Sequence, residues 1–118
     1  MINFVYFKKE SNLMNEFKNV DVKKIANIYF EGNVVSRNIS LSDGSIKTLG
    51  VMLPGNYEFS TEKKEYMEIL SGEMELQLRD SKNWETIKEG MSFYVPKNSS
   101  FKVEIKKLVN YCCSYLDK

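Results

Sequence analysis

The stretch that decides the fold of this chain runs from Gly50 to Pro96 and reads GVMLPGNYEFSTEKKEYMEILSGEMELQLRDSKNWETIKEGMSFYVP. Within it, Met74, Leu76 and Leu78 alternate with polar residues, which is the pattern of a strand with one buried face. Turn-forming residues separate the apolar segments at Pro54-Gly55, Ser71-Gly72, Asp80–Asn83 and Gly90. The stretch therefore predicts a series of short strands joined by turns.

The same pattern continues on both sides of this stretch. The further strand-like segments are Ile28–Phe30, Val34–Leu41, Ile46–Leu53, Phe101–Lys106 and Tyr111–Leu116. Both prolines fall at predicted strand ends, where a missing N–H has the smallest effect. Eight or more short strands, with turns at roughly ten-residue spacing, favour a sandwich or a closed barrel. Residues 26–118 are thus predicted to form one all-β domain.

The first part of the chain has a different character. Residues 1–25 contain a short apolar run, Phe4–Phe7, followed by a polar segment with loosely spaced apolar residues. A short helix over Asn12–Lys18, capped by Ser11 or Asn12, is one interpretation. Because no linker rich in glycine, proline or serine follows, we interpret residues 1–25 as an N-terminal arm that lies over the barrel or a neighbouring subunit.

The composition excludes several classes of function. The chain has 118 residues, of which 17 are basic and 16 acidic, and it has a net charge of +1. This balance favours neither a nucleic-acid surface nor a membrane patch, and no apolar run is long enough to span a bilayer. The adjacent Cys112 and Cys113 point to opposite faces of a strand, so we expect thiols rather than a disulfide. With no signal-peptide pattern at the N-terminus, these features predict a cytoplasmic protein.

The order of turns and strands resembles the cupin family, which implies a cupin-type, jelly-roll-like β-barrel. Aligned on Leu70-Ser71-Gly72 and Val95-Pro96, the usual metal-ligand positions of that family fall on Thr61, Lys63, Glu65 and Phe101. The chain contains no histidine. A single carboxylate is a poor site for a transition metal, which needs several donors in fixed geometry. We therefore expect a barrel without a bound metal.

A closer resemblance extends from Ala26 to Leu116. It is carried by ANIYFEG, GVMLPGNYEFST, EYMEILSG, Trp84, GMSFYVP, SSF and YCCSYL. Together these segments resemble the pyrimidine/purine nucleoside phosphorylase family. The resemblance implies phosphorolysis of purine and pyrimidine nucleosides, with inorganic phosphate as co-substrate and with free base and pentose 1-phosphate as products. It also implies that no metal or organic cofactor is needed and that the protein is a homodimer.

Three residues are candidates for catalysis. Glu65 occupies the position at which cupins direct a glutamate into the barrel, and burial would raise its pKa and make it an acid near neutral pH. The alternative is a solvated residue in the charged run Glu62–Glu65. Glu68 is a second candidate, or else a charge at the rim. The hydroxyl of Thr61 would contact phosphate or ribose, or else would satisfy turn backbone.

Five further residues are candidates for substrate binding. Tyr57, Phe59 and Tyr94 would stack on the base, which suits purines and pyrimidines alike, or else would pack in the core. The hydroxyl of Ser60, like that of Thr61, would donate to phosphate or ribose, or else would satisfy turn backbone. Arg37 shares a strand face with Val35, Ile39 and Leu41, so we predict that it points to the core side and binds phosphate. Lys47 and Lys63 are weaker candidates for the phosphate site.

Two non-enzymatic functions remain open at this point. One is a barrel that binds a nucleoside or sugar phosphate without turnover, and the other is a structural dimerisation module. Release of free base only in the presence of phosphate would favour the enzyme. Stabilisation by ligand without turnover would favour the binding protein.

Overall fold

The computed structural model describes residues 5–7 and 15–117, and its regular structure is almost entirely β. The strands are β1 Val5–Phe7, β2 Asp21–Val22, β3 Asn27–Tyr29, β4 Val34–Ser40, β5 Ile46–Met52, β6 Gly55–Ser60, β7 Lys64–Leu78, β8 Glu85–Lys88, β9 Met91–Val95 and β10 Ser100–Leu116. A single turn of 3-10 helix, Phe30–Gly32, joins β3 to β4. The predicted all-β fold is confirmed.

The two long strands, β7 and β10, organise the sheet. They pair antiparallel along most of their length, from Phe101 opposite Leu78 to Leu116 opposite Lys64. At one end this pair is flanked by β9 and β5, with β4 next to β5, and β2 and β3 both pair with β4. At the other end it is flanked by β8 and β6. The pair therefore runs through both layers of the fold, and the core lies between them.

The change from one layer to the other occurs where the sequence predicts a turn, at Ser71-Gly72. The β7–β10 register shifts between Ile105 and Tyr111. Opposite this irregularity Gly72 has φ +94°, and a Cβ there would collide with the Leu108 carbonyl oxygen. Ser71-Gly72 thus marks a distortion inside one strand, and the prediction of two separate strands there is wrong. The same holds for Phe101–Lys106 and Tyr111–Leu116, which both belong to β10.

The core is apolar at one end and polar at the other. Met74, Leu76, Ile87 and Val103 fill the end between β6 and β8, and Phe93 and Ile69 continue the core into the other layer. Beyond them the inward-facing positions become polar, and Ser36 and Thr48 are buried there. Because buried polar groups need partners, this end of the core contains the hydrogen-bond networks described below.

The N-terminal segment is partly described. Val5–Phe7 pairs with β9, and Asp21–Val22 pairs with β4, so two parts of residues 1–25 extend the sheet. Of the helix predicted over Asn12–Lys18, residues 12–14 lie outside the described residues. Residues 15–16 form a bend and residues 17–18 have no regular structure, so the described part of this segment is not helical. Within the described residues no helix has the length and apolar character needed to cross a bilayer.

Candidate active site

Six polar side chains share the inward face of four neighbouring strands. Strand register sets Glu65 opposite Tyr115, Cys113 opposite Thr48, and Gly50 between Tyr111 and Ser36. Residues two apart on a strand point to the same side, so these positions face one space. The set, called the inner cluster below, comprises Ser36, Thr48, Glu65, Tyr111, Cys113 and Tyr115.

Glu65 is the acidic member of the inner cluster. Burial raises the pKa of its carboxyl to about 7, and hydrogen bonding with the Cys113 thiol partly opposes that rise. Near neutral pH the protonated and ionised forms are therefore both populated, which suits a general acid. The sequence-based prediction of a buried, pKa-raised Glu65 agrees with this geometry.

The thiol and the phenols of the inner cluster remain protonated at neutral pH. Burial, followed by the nearby Glu65 carboxylate, raises the pKa of Cys113. Burial and the neighbouring thiol raise the pKa of Tyr115, and the Tyr115 hydroxyl lies 3.2 Å from the Thr48 hydroxyl. These residues thus form a chain of neutral hydrogen-bonding groups that leads from β5 to the Glu65 carboxyl.

A second network joins the inner cluster to the edge of the sheet. Burial raises the pKa of Tyr111 to about 12, while hydrogen bonding with Ser36 acts in the opposite direction. The Asn27 side-chain amide donates to the Ser36 hydroxyl at 3.2 Å and to the side-chain carbonyl oxygen of Asn38 at 2.7 Å. Tyr111 is therefore connected through Ser36 to two carboxamides on β3 and β4.

Replacing Cys113 with valine is expected to raise the pKa of Glu65 above about 7. Valine keeps the Glu65 carboxyl buried but removes the thiol, whose hydrogen bond favours the ionised carboxyl. A carbon-13 NMR titration of the Glu65 carboxyl measures the change. Cys112→Val is the matched control, because Cys112 is also buried but points to the opposite face. An unchanged or lower Glu65 pKa in Cys113→Val would contradict the hydrogen bond between the Cys113 thiol and the Glu65 carboxyl.

The four positions that correspond to cupin metal ligands do not fit a metal ion. The Thr61 hydroxyl donates to the Pro96 carbonyl at 2.6 Å and accepts from the Ser99 N–H at 3.0 Å. Phe101 stacks on Phe59 at 5.4 Å, and Lys63 lies 4.0 Å from Asp117. Only Glu65 offers a donor, and residues 15–117 contain no group of three or more acidic or cysteine side chains placed to hold an ion.

Several predicted site residues lie away from the inner cluster. Arg37 is exposed on the outer face, where its guanidinium donates to the Lys24 carbonyl, so the prediction that it points inward is wrong. Glu68, three residues from Glu65, lies on the opposite face beside Cys112. Tyr94 packs against Tyr66 on that same outer face, with ring centroids 4.8 Å apart and the rings tilted by 39°.

The remaining predicted residues belong to the turns or the aromatic part of the core. Tyr57 is buried and donates to the Leu53 carbonyl at 2.7 Å. Phe59 packs between Phe101 and Phe30. Ser60 is exposed, and Thr61 joins two turns through the bonds given above. The structure therefore brings Glu65 into the inner cluster and leaves the other predicted residues outside it.

Most residues of the inner cluster were not among the candidates predicted from the sequence. Tyr111, Cys113 and Tyr115 alternate along the last strand, and this alternation was the available signal for a polar inward face. Both cysteines are free thiols, as predicted. Cys113 packs in the core as expected of one of the two, whereas Cys112, on the outer face, is also only 2% exposed.

Comparisons with known proteins identify relatives over most of the chain. The family model described as pyrimidine/purine nucleoside phosphorylase matches residues 24–115. A curated protein named pyrimidine/purine nucleoside phosphorylase from Chlorobium chlorochromatii (strain CaD3) is 57% identical over 103 residues, which are 87% of this chain and 99% of that protein. The inner cluster, with Tyr115 at its end, lies within the matched range.

Two solved structures have a similar fold. A crystal structure from Acinetobacter sp. ADP1, of a protein described as having unknown function, is 42% identical with a TM-score of 0.83, covering 86% of this chain and 98% of that chain. A cupin superfamily protein from Desulfitobacterium hafniense DCB-2 has a TM-score of 0.60 at 17% identity, covering 72% of this chain and 78% of that chain. The predicted cupin-type fold is confirmed.

Proposed function

The chain belongs to the pyrimidine/purine nucleoside phosphorylase family, and we propose that it catalyses the phosphorolysis of purine and pyrimidine nucleosides. The products are the free base and pentose 1-phosphate. The observation that carries the proposal is the position of Glu65, a carboxyl with a pKa of about 7 that faces the polar interior of the barrel. An acid of this kind matches the need of a departing base for a proton.

In the proposed reaction, a phosphate oxygen forms a bond to the anomeric carbon while the bond from that carbon to the base nitrogen breaks. The proton of Glu65 passes to the departing base, and the carboxylate regains a proton from phosphate or water. The neutral hydroxyls of Tyr111 and Tyr115 are hydrogen-bond donors to the ribose or to the base. Because both phenols have raised pKa values, they stay protonated throughout the working pH range.

The proposal includes no metal ion and no organic cofactor, and inorganic phosphate is the co-substrate. The side chains of Thr61, Lys63 and Phe101 are unsuited to binding a metal ion, which supports the metal-free part of the proposal. We further propose a cytoplasmic homodimer that binds no nucleic acid. The free thiols support a reducing compartment, the net charge of +1 argues against nucleic acid, and exposed leucines at 70 and 108 are compatible with an interface.

The test is an assay of inosine and uridine with and without inorganic phosphate. We expect free base and pentose 1-phosphate to appear in equal amounts, and only when phosphate is present. Release of base in phosphate-free buffer would identify a hydrolase instead. Stabilisation by nucleoside with no product under either condition would indicate the non-catalytic binding protein.

A further inference from the structure

Phosphate is a dianion and needs cations or N–H donors, yet the cations that the sequence suggested are engaged elsewhere. Arg37 points outward and donates to the Lys24 carbonyl. Lys47 donates to the Ser114 hydroxyl at 2.7 Å, and Lys63 pairs with Asp117. If the proposed function holds, the barrel must obtain positive charge from other residues.

Two other lysines line a shallow cavity that is open to solvent at the edge of the sheet. The cavity has a volume of about 380 Å³ and is lined by Lys23, Lys24, Ile25, Asn27 and Asn38. Its volume lies within the range of small-molecule sites. Among residues 15–117, no carboxylate forms an ion pair with either lysine. Their charges are therefore not neutralised by a described neighbour, and we call this space the lysine cavity.

The backbone that carries the two lysines is held in place from β4. The Lys23 N–H donates to the Asn38 carbonyl at 3.0 Å, and the Arg37 guanidinium bonds the Lys24 carbonyl. Arg37 thus holds the backbone of Lys24 in place and does not itself contact the ligand. A fixed backbone limits the conformational entropy that the lysines lose when they bind an anion.

Two carboxamides that line the lysine cavity, Asn27 and Asn38, adjoin the inner cluster. Asn27 donates to Ser36, which bonds with Tyr111. Asn38 is the strand partner of Thr48, and Thr48 is the partner of Cys113. Three adjacent strands place the Asn38 backbone about 10 Å from that of Cys113. This separation suits a ribose held between an anion at the edge and an acid inside.

Asn38 also provides a hydrogen-bond donor, its side-chain NH₂ group. Its side-chain carbonyl accepts from Asn27 at 2.7 Å, which directs its NH₂ group away from that contact. Among the described residues, no protein group accepts from this NH₂. Two lysines and one carboxamide with a free donor therefore line one cavity next to the acid-bearing interior.

We propose that the lysine cavity is the phosphate subsite of the enzyme, with Lys23 and Lys24 as its cations and Asn38 as a neutral donor. The ribose then lies between this subsite and Glu65, and the base lies nearest the carboxyl. This inference rests on the proposed function, since it assigns the second substrate of that reaction.

A second groove provides the rival site. It has a volume of about 490 Å³, and its lining includes Arg79, Lys102 and Glu58. Lys102 lies between the inward-facing Phe101 and Val103, so it points away from the core and from Glu65. The Glu58 carboxylate would repel a dianion there. This groove therefore supplies the control, because it too contains two cations.

The test compares the double variant Lys23→Gln/Lys24→Gln with Arg79→Gln/Lys102→Gln. Loss of two charge-assisted contacts is expected to raise the KM for phosphate by about 10- to 100-fold in the first variant. The KM for inosine should change by less than about two-fold in both. A second readout without turnover is the rise in Tm produced by inorganic phosphate relative to chloride at equal ionic strength, which only the first variant should lose.

An unchanged phosphate KM and an unchanged phosphate-induced Tm shift in Lys23→Gln/Lys24→Gln would overturn the assignment. The same losses in Arg79→Gln/Lys102→Gln would also overturn it, by moving the subsite to the outer groove. If the wild-type protein shows no phosphorolysis, the proposed function fails. The Tm shift still decides whether the lysine cavity binds phosphate.

Discussion

Glu65→Gln is expected to lower kcat by about 100- to 10,000-fold, the range typical for removal of a general acid. Glutamine keeps the size and the hydrogen-bonding capacity of the side chain but has no proton to transfer to the departing base. The KM values should change little, because the neutral carboxyl and the amide are close in shape. Glu62→Gln is the matched control, since Glu62 is an exposed carboxylate just before the same strand.

The pH dependence gives a second signature of the same residue. The wild-type kcat should fall as the pH rises through about 7, because the acid must be protonated to act. In Glu65→Gln the small residual rate should lack this decline. A wild-type rate in the variant, or the same alkaline decline in both proteins, would remove Glu65 from the mechanism.

At alkaline pH the substitution Glu65→Gln should lower activity but not stability. The folded-state pKa of Glu65, about 7, lies above the reference value of 4.5, so the folded state holds a proton that the unfolded state has lost. Its contribution to the free energy of unfolding is present below pH 4.5 and is lost as the pH rises towards 7. The upper limit is about 3 kcal/mol, reduced by partial exposure to solvent. At pH 8 Glu65→Gln should therefore unfold at or above the wild-type Tm.

Whether the sequence predicts the buried face of a strand depends on which residues lie on that face. Where the core is apolar, as at Met74, Leu76 and Leu78, the alternation of residue types predicted both the strand and its buried side. On β4 the same reasoning failed. The inward residues Ser36 and Asn38 are polar because they adjoin the site, so the apolar pattern identified the wrong face and assigned Arg37 to the interior.

Pairing between strands that are distant in the sequence explains why the other site residues were not predicted. Glu65 could be placed because a family resemblance fixed its position on the barrel. The role of Tyr115 depends on its lying opposite Glu65 on another strand, and no local pattern contains that register. The lysine cavity depends in the same way on the approach of residues 23–25 to β4. Local turns therefore predict the strands, whereas the site is produced by strand pairing.

Gly50→Ala is expected to destabilise the protein by about 1–3 kcal/mol, the cost of inserting a methyl group where the structure has no space. A Cβ at Gly50 would lie 2.5 Å from the Val35 carbonyl oxygen, 2.7 Å from the Tyr111 hydroxyl and 2.8 Å from the Ser36 Cβ. The first neighbour is backbone of the adjacent strand, so it cannot rotate away. The sign is diagnostic, because alanine normally stabilises a strand interior relative to glycine by about 0.5–1 kcal/mol.

Urea unfolding of a double-mutant cycle with Tyr111→Phe separates the contribution of the site from that of the backbone. Removing the phenol oxygen relieves one of the three contacts, so Gly50→Ala should cost less in the Tyr111→Phe background than in the wild type. The two substitutions are therefore expected to be non-additive, with a coupling free energy of about 0.5–3 kcal/mol. Strict additivity would mean that the Tyr111 hydroxyl does not occupy the space above Gly50. In that event the network that joins Tyr111 to Ser36 and Asn27 would lose its central contact, since Gly50 lies between the strands that carry Tyr111 and Ser36.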